Sequence, residues 1–238
     1  MQMPKHIGII LDGNRRWARA RGLTTFQGHK KGYDNVKNIS EYFFNSGGEI
    51  LSVYAFSTEN WNRSKSEVGY LMRLLKRMVV VQGGLLGKRG IKLKVVGDKN
   101  RLGKDLQVEI KKAEEKTKNG KKGLLNICIN YGGREEIIFA VNELLKGMTR
   151  LRSSKRDSGG QREMTEKEFK SYLRLGDIPD PDLIIRTSGE QRLSGFLTWQ
   201  SVYSELFFVK KHWPAFGPRD LDKVVKEFNQ RNRRFGGN

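Results

Sequence analysis

Short apolar runs recur along the chain and alternate with longer amphipathic stretches. Runs of this length without apolar-polar alternation are typical of strands that are buried on both faces of a sheet. The predicted strands are Ile7–Leu11, Ile50–Ala55, Ile91–Val96, Leu124–Tyr131, Leu183–Ile185 and Glu205–Val209.

The stretches between these runs place apolar residues three or four positions apart, which is the spacing of one helix face. In the longest of them Leu71, Leu75 and Met78 follow this spacing. The predicted helices are Asn14–Arg21, Gly28–Ser46, Glu67–Lys88, Lys104–Lys118, a helix that follows Gly133, a helix capped by Thr165 that ends near Leu175, and Arg219–Arg231.

Strands that alternate with helices predict a largely parallel sheet with helices on both faces. The chain has 238 residues, which is enough for one α/β domain and too few for two comfortable ones. We therefore expect a single α/β domain, residues 1–238, with a central, mostly parallel six-stranded sheet flanked by helices. The polar, basic and Gly/Ser-rich segment 147–162 interrupts the pattern and predicts a mobile surface loop, with a dedicated binding arm as the alternative.

The formal net charge of +20 bears on the partners of the protein. Nucleic acid, an anionic membrane surface and phosphorylated substrates would each suit a basic chain. The single Cys128 excludes a disulfide framework and a cysteine zinc site. No apolar run reaches the roughly 18 residues of a membrane span, and the N-terminus lacks an apolar signal stretch, so we expect a cytoplasmic protein.

The segment LDGNRRW carries the first candidate chemistry. Asp12 ends a predicted strand, and Asn14, Arg15 and Arg16 follow at a predicted helix start. The free N–H groups of a helix start favour an anion, and arginines have the fork geometry that suits phosphate. Because Mg²⁺ takes one or two protein carboxylates and fills its other positions with phosphate oxygens and water, the segment suggests a metal-diphosphate site. A simple turn is the alternative interpretation.

Ligands of open parallel sheets collect at the carboxyl ends of the strands. Polar segments follow four predicted strands, at Asp12–Arg16, Phe56–Arg63, Tyr131–Arg134 and Arg186–Ser194. Together they supply more cation than one phosphate needs, so we expect two phosphorylated ligands side by side.

Structural roles compete with functional ones at several of these positions. Trp61 could pack against the following helix, Arg186 and Arg192 could form internal salt bridges, and His29 could cap a helix. Glu205 opens an apolar strand, where a buried acid is rare unless it is paired or binds a metal.

In combination, the segments resemble the cis-prenyltransferases, the undecaprenyl diphosphate synthase family. The resemblance rests on HIGIILDGNRRWA, GHKKG, YAFSTENWNRS, NYGGREEI, DLIIRTSGEQRLSGFLTWQSVYSELFF and RRFGG, which occur in this order and cover nearly the whole chain outside the basic segment. The resemblance implies the undecaprenyl diphosphate synthase-like fold, a homodimer and a Mg²⁺-dependent condensation. Isopentenyl diphosphate would add to an allylic diphosphate, and each round would form a cis double bond. The product would be a Z-polyprenyl diphosphate for a glycosyl carrier lipid or another isoprenoid lipid.

The resemblance also implies roles for individual residues. Asp12, with Ser57 and Asn60, would be catalytic. Asp12 and Glu205 are the implied metal residues: Asp12 would bind the Mg²⁺ at the allylic diphosphate, and Glu205 would support the metal at isopentenyl diphosphate or the arginines beside it. The residues that would bind the allylic diphosphate are Gly13, Asn14, Arg15, Arg16, Trp17 and His29. Those that would bind isopentenyl diphosphate are Arg186, Arg192 and Ser194, and Arg234 and Gly236 would reach the partner subunit's site. A mobile loop that brings the two substrates together would contain Ser57, Glu59, Asn60, Trp61 and Arg63. The apolar face of the helix after Glu67, with Phe43, Leu51 and Val53, is a candidate tunnel wall for the growing tail.

Two positions depart from the family pattern. Thr25 stands where the family usually has Arg, and Gly195 where it usually has Asn. A missing guanidinium would weaken the grip on the allylic diphosphate by about 1–3 kcal/mol. Transfer of the prenyl group to another acceptor, such as an alcohol or a second prenyl diphosphate, therefore stays open.

Two further hypotheses belong to other classes of protein. A basic RNA-binding protein would need exposed aromatic residues beside its cations, whereas most aromatics here fall on apolar strands and helix faces, so we expect no nucleic-acid partner. A catalytically silent subunit would be expected to lack Asp12, Arg192 and Ser194, which this chain keeps. Peripheral contact with membrane lipid is expected for release of a lipid product.

Overall fold

Six apolar segments form one sheet in the computed structural model of the chain, which describes residues 2–154 and 163–232. All neighbouring strands are parallel, and their order is β3-β4-β2-β1-β5-β6. The α/β fold with a six-stranded sheet is therefore confirmed, and "mostly parallel" becomes all-parallel. The strands are β1 (His6–Ile10), β2 (Ile50–Ser57), β3 (Ile91–Val96), β4 (Gly123–Tyr131), β5 (Leu183–Thr187) and β6 (Glu205–Val209).

Helices connect the strands and cover the sheet. Three short 3₁₀ turns lie at Thr58–Asn62, Lys99–Arg101 and Trp213–Ala215, and the sequence pattern did not indicate them. The helices are α1 (Asn14–Arg19), α2 (Thr25–Asn45), α3 (Lys65–Arg89), α4 (Lys104–Thr117), α5 (Gly133–Ser154), α6 (Glu166–Tyr172) and α7 (Pro218–Phe228).

Caps account for where several helices begin. Thr165 caps α6 in a capping box with Glu168, as predicted. Helix α2 begins three residues earlier than predicted because Thr24 and Gln27 form a second capping box.

The predicted mobile loop is wrong for its first part. Helix α5 continues through residues 147–154, and the remainder, 155–162, lies outside the described residues. One Gly inside a helix costs only about 1 kcal/mol, and the following MTRLR consists mostly of good helix formers, so Gly147 does not end the helix.

The core lies on both faces of the sheet. The larger cluster joins α2, α3, α4 and α7 to one face, and Trp213, Phe43 and Phe56 are among its fully buried side chains. A smaller cluster on the other face includes Tyr131 and Cys128, whose side chains are also fully buried. Burial raises the pKa of the Cys128 thiol well above its ordinary value.

A polar network crosses the buried start of the sheet. His6 donates from Nδ1 to the Pro179 carbonyl (2.7 Å), and its Nε2 accepts from the Ser52 hydroxyl (2.8 Å). The Asn126 amide donates to the same hydroxyl at 3.0 Å. Burial lowers the pKa of His6 and outweighs the hydrogen bond to Pro179, so the imidazole is neutral in the folded protein.

Candidate active site

Strands β1 and β5 are neighbours, but the chain continues from β1 to β2 on one side of the pair and from β5 to β6 on the other. Such a switch point is where open α/β sheets bind ligands. Asp12 lies in the turn after β1. Its backbone N–H donates to the Thr187 hydroxyl (3.0 Å), and its carbonyl accepts from that hydroxyl (2.8 Å) and from the Trp213 N–H (2.9 Å). The backbone on both sides of Asp12 is thus held independently of its side chain.

Gly13 supplies the turn into α1. Its φ of 101° lies in the region that favours glycine, and an added Cβ would lie 2.5 Å from Ser188 Oγ. The same close approach lets Asp12 and α1 stand beside the end of β5.

Two arginines meet the carboxylate of Asp12. Arg186 donates from its Nη2 to Oδ2 (2.9 Å), and Arg16 donates to Oδ1 (3.0 Å). Burial alone would raise the pKa of Asp12, but the hydrogen bonds from Arg186 and Arg16 outweigh it and lower the pKa below its ordinary value. Asp12 is therefore an ionised carboxylate at neutral pH.

A second carboxylate organises the arginines at the cavity mouth. Glu190 accepts from Arg16 (2.9 Å) and from Arg192 (2.6 Å). The internal salt bridges expected as an alternative therefore form at both positions, between Arg192 and Glu190 and between Arg186 and Asp12. The guanidinium of Arg186 also donates to the Ser194 hydroxyl at 2.8 Å.

The loop that carries Ser194 has an unusual backbone. Ser194 and Gly195 have positive φ angles of 50° and 77°. The Gly195 carbonyl accepts from the Gly133 N–H at 2.7 Å, and the loop is thereby tied to the start of α5. The left-handed conformation explains why Gly fits at position 195. Among the described residues a Cβ there would meet no atom closer than 3.6 Å, so the missing side chain leaves room in the cavity wall.

A buried carboxylate also holds the far side of the mouth. Glu67, in the first turn of α3, accepts from His29 Nε2 (2.9 Å) and from Arg63 (2.9 Å). Burial lowers the pKa of His29 despite the bond to Glu67, so His29 is neutral and its Nε2 carries the proton. Burial would raise the pKa of Glu67, but hydrogen bonding to His29 and the charge of Arg63 lower it.

The segment after β2 is an ordered turn. The Asn60 carboxamide accepts from the Ser57 N–H at 3.2 Å. Trp61 donates to the Asn130 side chain at 2.8 Å and packs edge-on against Phe56. The packing interpretation of Trp61 is therefore supported, whereas motion of the segment stays a prediction.

These groups surround one cavity of about 1090 Å³. Its mouth is cationic, and its depth, between α2 and α3, is apolar. The mouth contains Arg15, Arg16, Arg19, Arg63, Arg134 and Arg186, and the apolar wall contains Tyr33, Val36, Leu71, Leu74, Leu75 and Met78. A cavity of this form can hold charged groups at one end and a hydrocarbon chain at the other.

Most of the predicted site residues meet at this cavity. They are Asp12, Gly13, Asn14, Arg15, Arg16, His29, Ser57, Glu59, Asn60, Arg63, Arg186 and Ser194. Trp17, Trp61 and Arg192 lie outside its wall. The predicted tunnel residues Phe43, Leu51 and Val53 are core residues instead, because they face the packed sheet and not the gap between α2 and α3. Arg234 and Gly236 lie outside the described residues.

Glu205 is not with Asp12. It begins β6, at the edge of the sheet opposite the carboxyl end where Asp12 lies, and it pairs with Arg231 at 2.7 Å. Within one chain the two carboxylates therefore do not bind the same metal ion, because the length of a strand separates them. The role of Glu205 at isopentenyl diphosphate stays a prediction.

Sequence reasoning missed Glu67 and Glu190 as members of the site. Each accepts hydrogen bonds from two side chains, and one of the two donors in each case comes from a distant segment. A single acid at the start of an otherwise apolar and basic helix was the available signal for Glu67. Thr25 forms no part of the cavity wall and lies in the capped first turn of α2.

Comparison with known proteins identifies the family. The family model described as putative undecaprenyl diphosphate synthase matches residues 10–236. The chain belongs to the undecaprenyl diphosphate synthase family.

Members of this family from bacteria and archaea are similar over almost the whole chain. An isoprenyl transferase of Fusobacterium nucleatum is 46% identical and aligns over 99% of this chain and 96% of its own. A tritrans,polycis-undecaprenyl-diphosphate synthase (geranylgeranyl-diphosphate specific) of Methanopyrus kandleri is 42% identical, over 99% of this chain and 85% of its own. The undecaprenyl diphosphate synthase family member described here is therefore a prenyltransferase.

Solved structures show the same fold. Lavandulyl diphosphate synthase from Lavandula x intermedia, in complex with dimethylallyl diphosphate, is 35% identical with a TM-score of 0.91 over 99% of both chains. A probable undecaprenyl diphosphate synthase from Campylobacter jejuni is 30% identical with a TM-score of 0.80 over 100% of both chains. In the described part of this family member, no helix is long and apolar enough to cross a membrane.

Proposed function

We propose that the protein condenses isopentenyl diphosphate with an allylic prenyl diphosphate, with Mg²⁺, to give a Z-polyprenyl diphosphate. The observation that carries the proposal is one continuous cavity, with a cationic mouth and an apolar interior. The allylic diphosphate would bind at the mouth, and its hydrocarbon chain would extend between α2 and α3. The use of the product as a glycosyl carrier lipid or another isoprenoid lipid is part of the proposal.

Two groups of cations would hold the two diphosphates. Arg15, Arg16 and Arg19 project from α1 on one side of Asp12, and Arg186 lies beside Ser194 on the other. Arginine forks and the free N–H groups at a helix start both favour phosphate oxygens. The allylic diphosphate is assigned to the α1 side and isopentenyl diphosphate to the Arg186 side.

Asp12 fits a magnesium site. It is ionised and part-exposed, and the described residues hold no group of three or more His, Cys, Asp or Glu side chains that could form an all-protein cage. One carboxylate with phosphate oxygens and water is a donor set that Mg²⁺ accepts. Bound there, the ion would neutralise charge that develops on the leaving diphosphate. Asp12 would then exchange its bond to Arg16 or Arg186 for the metal.

The protein's own residues would supply the remaining catalysis. The arginines would stabilise diphosphate charge with little reorganisation, because Glu190 keeps Arg16 in place when Asp12 binds the metal. Binding of both substrates in one cavity brings the alkene to the allylic carbon. The apolar wall excludes water from the carbocation that forms there.

Transfer to an acceptor other than isopentenyl diphosphate is the second candidate. Gly195 leaves space beside Ser194, and Thr25 offers no guanidinium to the mouth. A relative of this fold, lavandulyl diphosphate synthase, binds dimethylallyl diphosphate. These observations favour a test of a second allylic diphosphate or an alcohol as the acceptor.

A homodimer and peripheral membrane contact complete the proposal. Val202, Tyr203 and Leu206 leave apolar surface exposed at the edge strand β6 and in the segment before it, where a second copy could pack. A cytoplasmic protein that releases a polyprenyl product would need contact with a lipid bilayer, and we expect no nucleic-acid partner.

Product analysis tests the proposed reaction. Purified protein is incubated with Mg²⁺, labelled isopentenyl diphosphate and allylic primers of several lengths, and extracted products are sized. We expect consumption of isopentenyl diphosphate that requires an allylic primer and that stops when EDTA is added. A labelled allylic diphosphate without isopentenyl diphosphate tests the second candidate. Absence of an extractable product with every primer and acceptor would overturn the enzymatic proposal.

A further inference from the structure

Helix α3 presents two chemically different faces. Leu71, Leu75 and Met78 line the cavity. Away from the cavity, another set of residues lies within about 100° around the helix axis, as calculated with 3.6 residues per turn. This set, which we call the outer face of α3, comprises Tyr70, Arg73, Arg77, Val80, Val81 and Lys88.

The outer face itself carries positive charge and no acidic residue. Glu67 is the single acidic residue of α3, and it is buried against His29 and Arg63. Across the residues that the structure describes, neither Arg73 nor Arg77 forms an ion pair, although the Arg73 guanidinium lies 5.8 Å from the Tyr70 ring centroid. The outer face therefore exposes cations, and no acidic side chain of α3 lies beside them.

The same face also exposes large apolar side chains. Val80 is 47% exposed and Val81 is 36% exposed. Phe26 of α2 is 39% exposed and contacts Tyr70, with the ring centroids 4.6 Å apart and the ring planes tilted by 42°. Because α2 and α3 each lead from the carboxyl end of one strand to the amino end of a parallel strand, they run side by side in the same direction. Lys30 and Lys37 of α2 therefore follow Phe26 along the line where α2 and α3 meet, which we call the seam, and Lys30 is paired there with Asp34 at 3.4 Å.

An anionic lipid surface fits this combination better than nucleic acid does. Both would attract the cations, but only a bilayer offers an apolar layer to Val80, Val81 and Phe26. Aromatic and aliphatic side chains among Lys and Arg are the composition of helices that lie in a membrane interface.

We propose that the outer face of α3, with Phe26 of α2, docks on an anionic bilayer. The cavity wall and the docking face would then be two sides of the same helix. A prenyl chain between α2 and α3 would be separated from lipid by the side chains of the seam, such as Tyr33 and Leu74. The docking names the surface for the membrane contact of the proposed function, and this last step also rests on the proposed reaction.

Vesicle sedimentation without substrate tests the docking. The wild-type protein is mixed with phosphatidylcholine vesicles that contain phosphatidylglycerol, and with pure phosphatidylcholine vesicles. Each basic residue near an anionic surface contributes about a fivefold factor in partition, so Arg73→Glu with Arg77→Glu should weaken binding at least about tenfold. Val81→Ser with Phe26→Ala should weaken it with no change in net charge.

The control carries the same net charge on other elements. Lys167→Glu with Lys223→Glu alters exposed residues of α6 and α7 and should bind nearly as the wild type does. Thermal unfolding of each variant checks the fold. Equal wild-type binding to both kinds of vesicle, or equal loss in the two charge-reversal variants, would overturn the proposal. If phosphatidylglycerol vesicles are not bound but RNA is, and Arg73→Glu with Arg77→Glu removes that binding, the partner is nucleic acid and the lipid assignment fails. Consumption of isopentenyl diphosphate is measured separately in detergent without vesicles. This assay tests the proposed enzyme activity independently of membrane docking.

Discussion

The side chain of Asp12 and its backbone have separate tasks. Thr187 and Trp213 hold the backbone, and the carboxylate contacts Arg186 and Arg16. Asp12→Asn should therefore reduce turnover about a hundredfold or more, because the developing charge loses its ionised partner, while the fold is kept. Steady-state rates and a thermal melt check both parts.

Asp177→Asn is the matched control for Asp12→Asn. Asp177 pairs with Lys94 in an exposed bridge far from the cavity, and its loss should leave turnover unchanged. Wild-type turnover in Asp12→Asn would remove Asp12 from the proposed chemistry.

His6 makes folding stability depend on pH. Its pKa in the folded protein lies below the ordinary value of 6.5, so the unfolded chain takes up the proton first as the pH falls. The free energy of unfolding should thus fall from about pH 7 to about pH 5, and part of this slope should be absent in His6→Gln. Urea unfolding at several pH values measures it.

Other groups separate into two pH windows. His29 and His212 also have lowered pKa values. Part of the decrease in the free energy of unfolding between pH 7 and pH 5 should therefore remain in His6→Gln. Carboxylates with lowered pKa values, such as Asp12 and Asp220, lose their contribution only below about pH 4. A slope between pH 7 and pH 5 that is the same in His6→Gln as in the wild type would contradict the assignment to His6.

At the level of single residues, local pattern predicts which side chains reach the cavity better than it predicts their partners. Asp12, Arg16 and Arg186 follow strand ends, and the parallel sheet brings strand ends together. Glu67 and Glu190 were missed because their role depends on side chains 38 and 174 positions away. No periodicity records such pairs.

Among the elements, α1 and α2 cross in close contact at the site. A Cβ on Gly28 would lie 2.3 Å from the Asn14 carbonyl oxygen. Gly28→Ala should therefore destabilise the fold by about 1–3 kcal/mol, since backbone must move to admit the methyl group. Unfolding in urea measures the loss.

Gly84 in α3 is the matched control for Gly28. Among the described residues, no atom lies within 4 Å of the position that a Cβ would take there, so Gly84→Ala should stabilise the protein by about 0.5–1 kcal/mol through helix propensity alone. Destabilisation of both variants by the same amount would mean that close packing at Gly28 is not the cause.

Strand and helix types were predictable, whereas several ends were not. Apolar runs located all the strands because both faces of a parallel sheet are buried. The end of α5 was misplaced because Gly147 and the serines indicate a loop locally, while the helix continues to Ser154. Trp213–Ala215 was missed because a single 3₁₀ turn has too few residues to show a period.

For the whole molecule, the edge strand β6 predicts the oligomeric state. The exposed Val202 and Tyr203 lie just before it, and their burial against a second copy would favour a dimer. Light scattering should give twice the chain mass of 27.4 kDa for the wild type, and Val202→Asp with Tyr203→Asp should shift the mass toward one chain.

Val108→Asp is the control for the dimer variant. Val108 is exposed on α4, away from β6, so its replacement should leave the mass unchanged. A monomeric wild type, or dissociation of the Val108 variant as well, would contradict the β6 interface.

The burial of Cys128 has a practical consequence for spectroscopy. It is the single cysteine of the chain, its side chain is fully buried and its thiol has a raised pKa, so maleimides should not reach it in the folded protein. A cysteine introduced at Val81 would then be the one reactive thiol. A polarity-sensitive dye attached there would report, as a blue shift, whether α3 enters lipid during turnover.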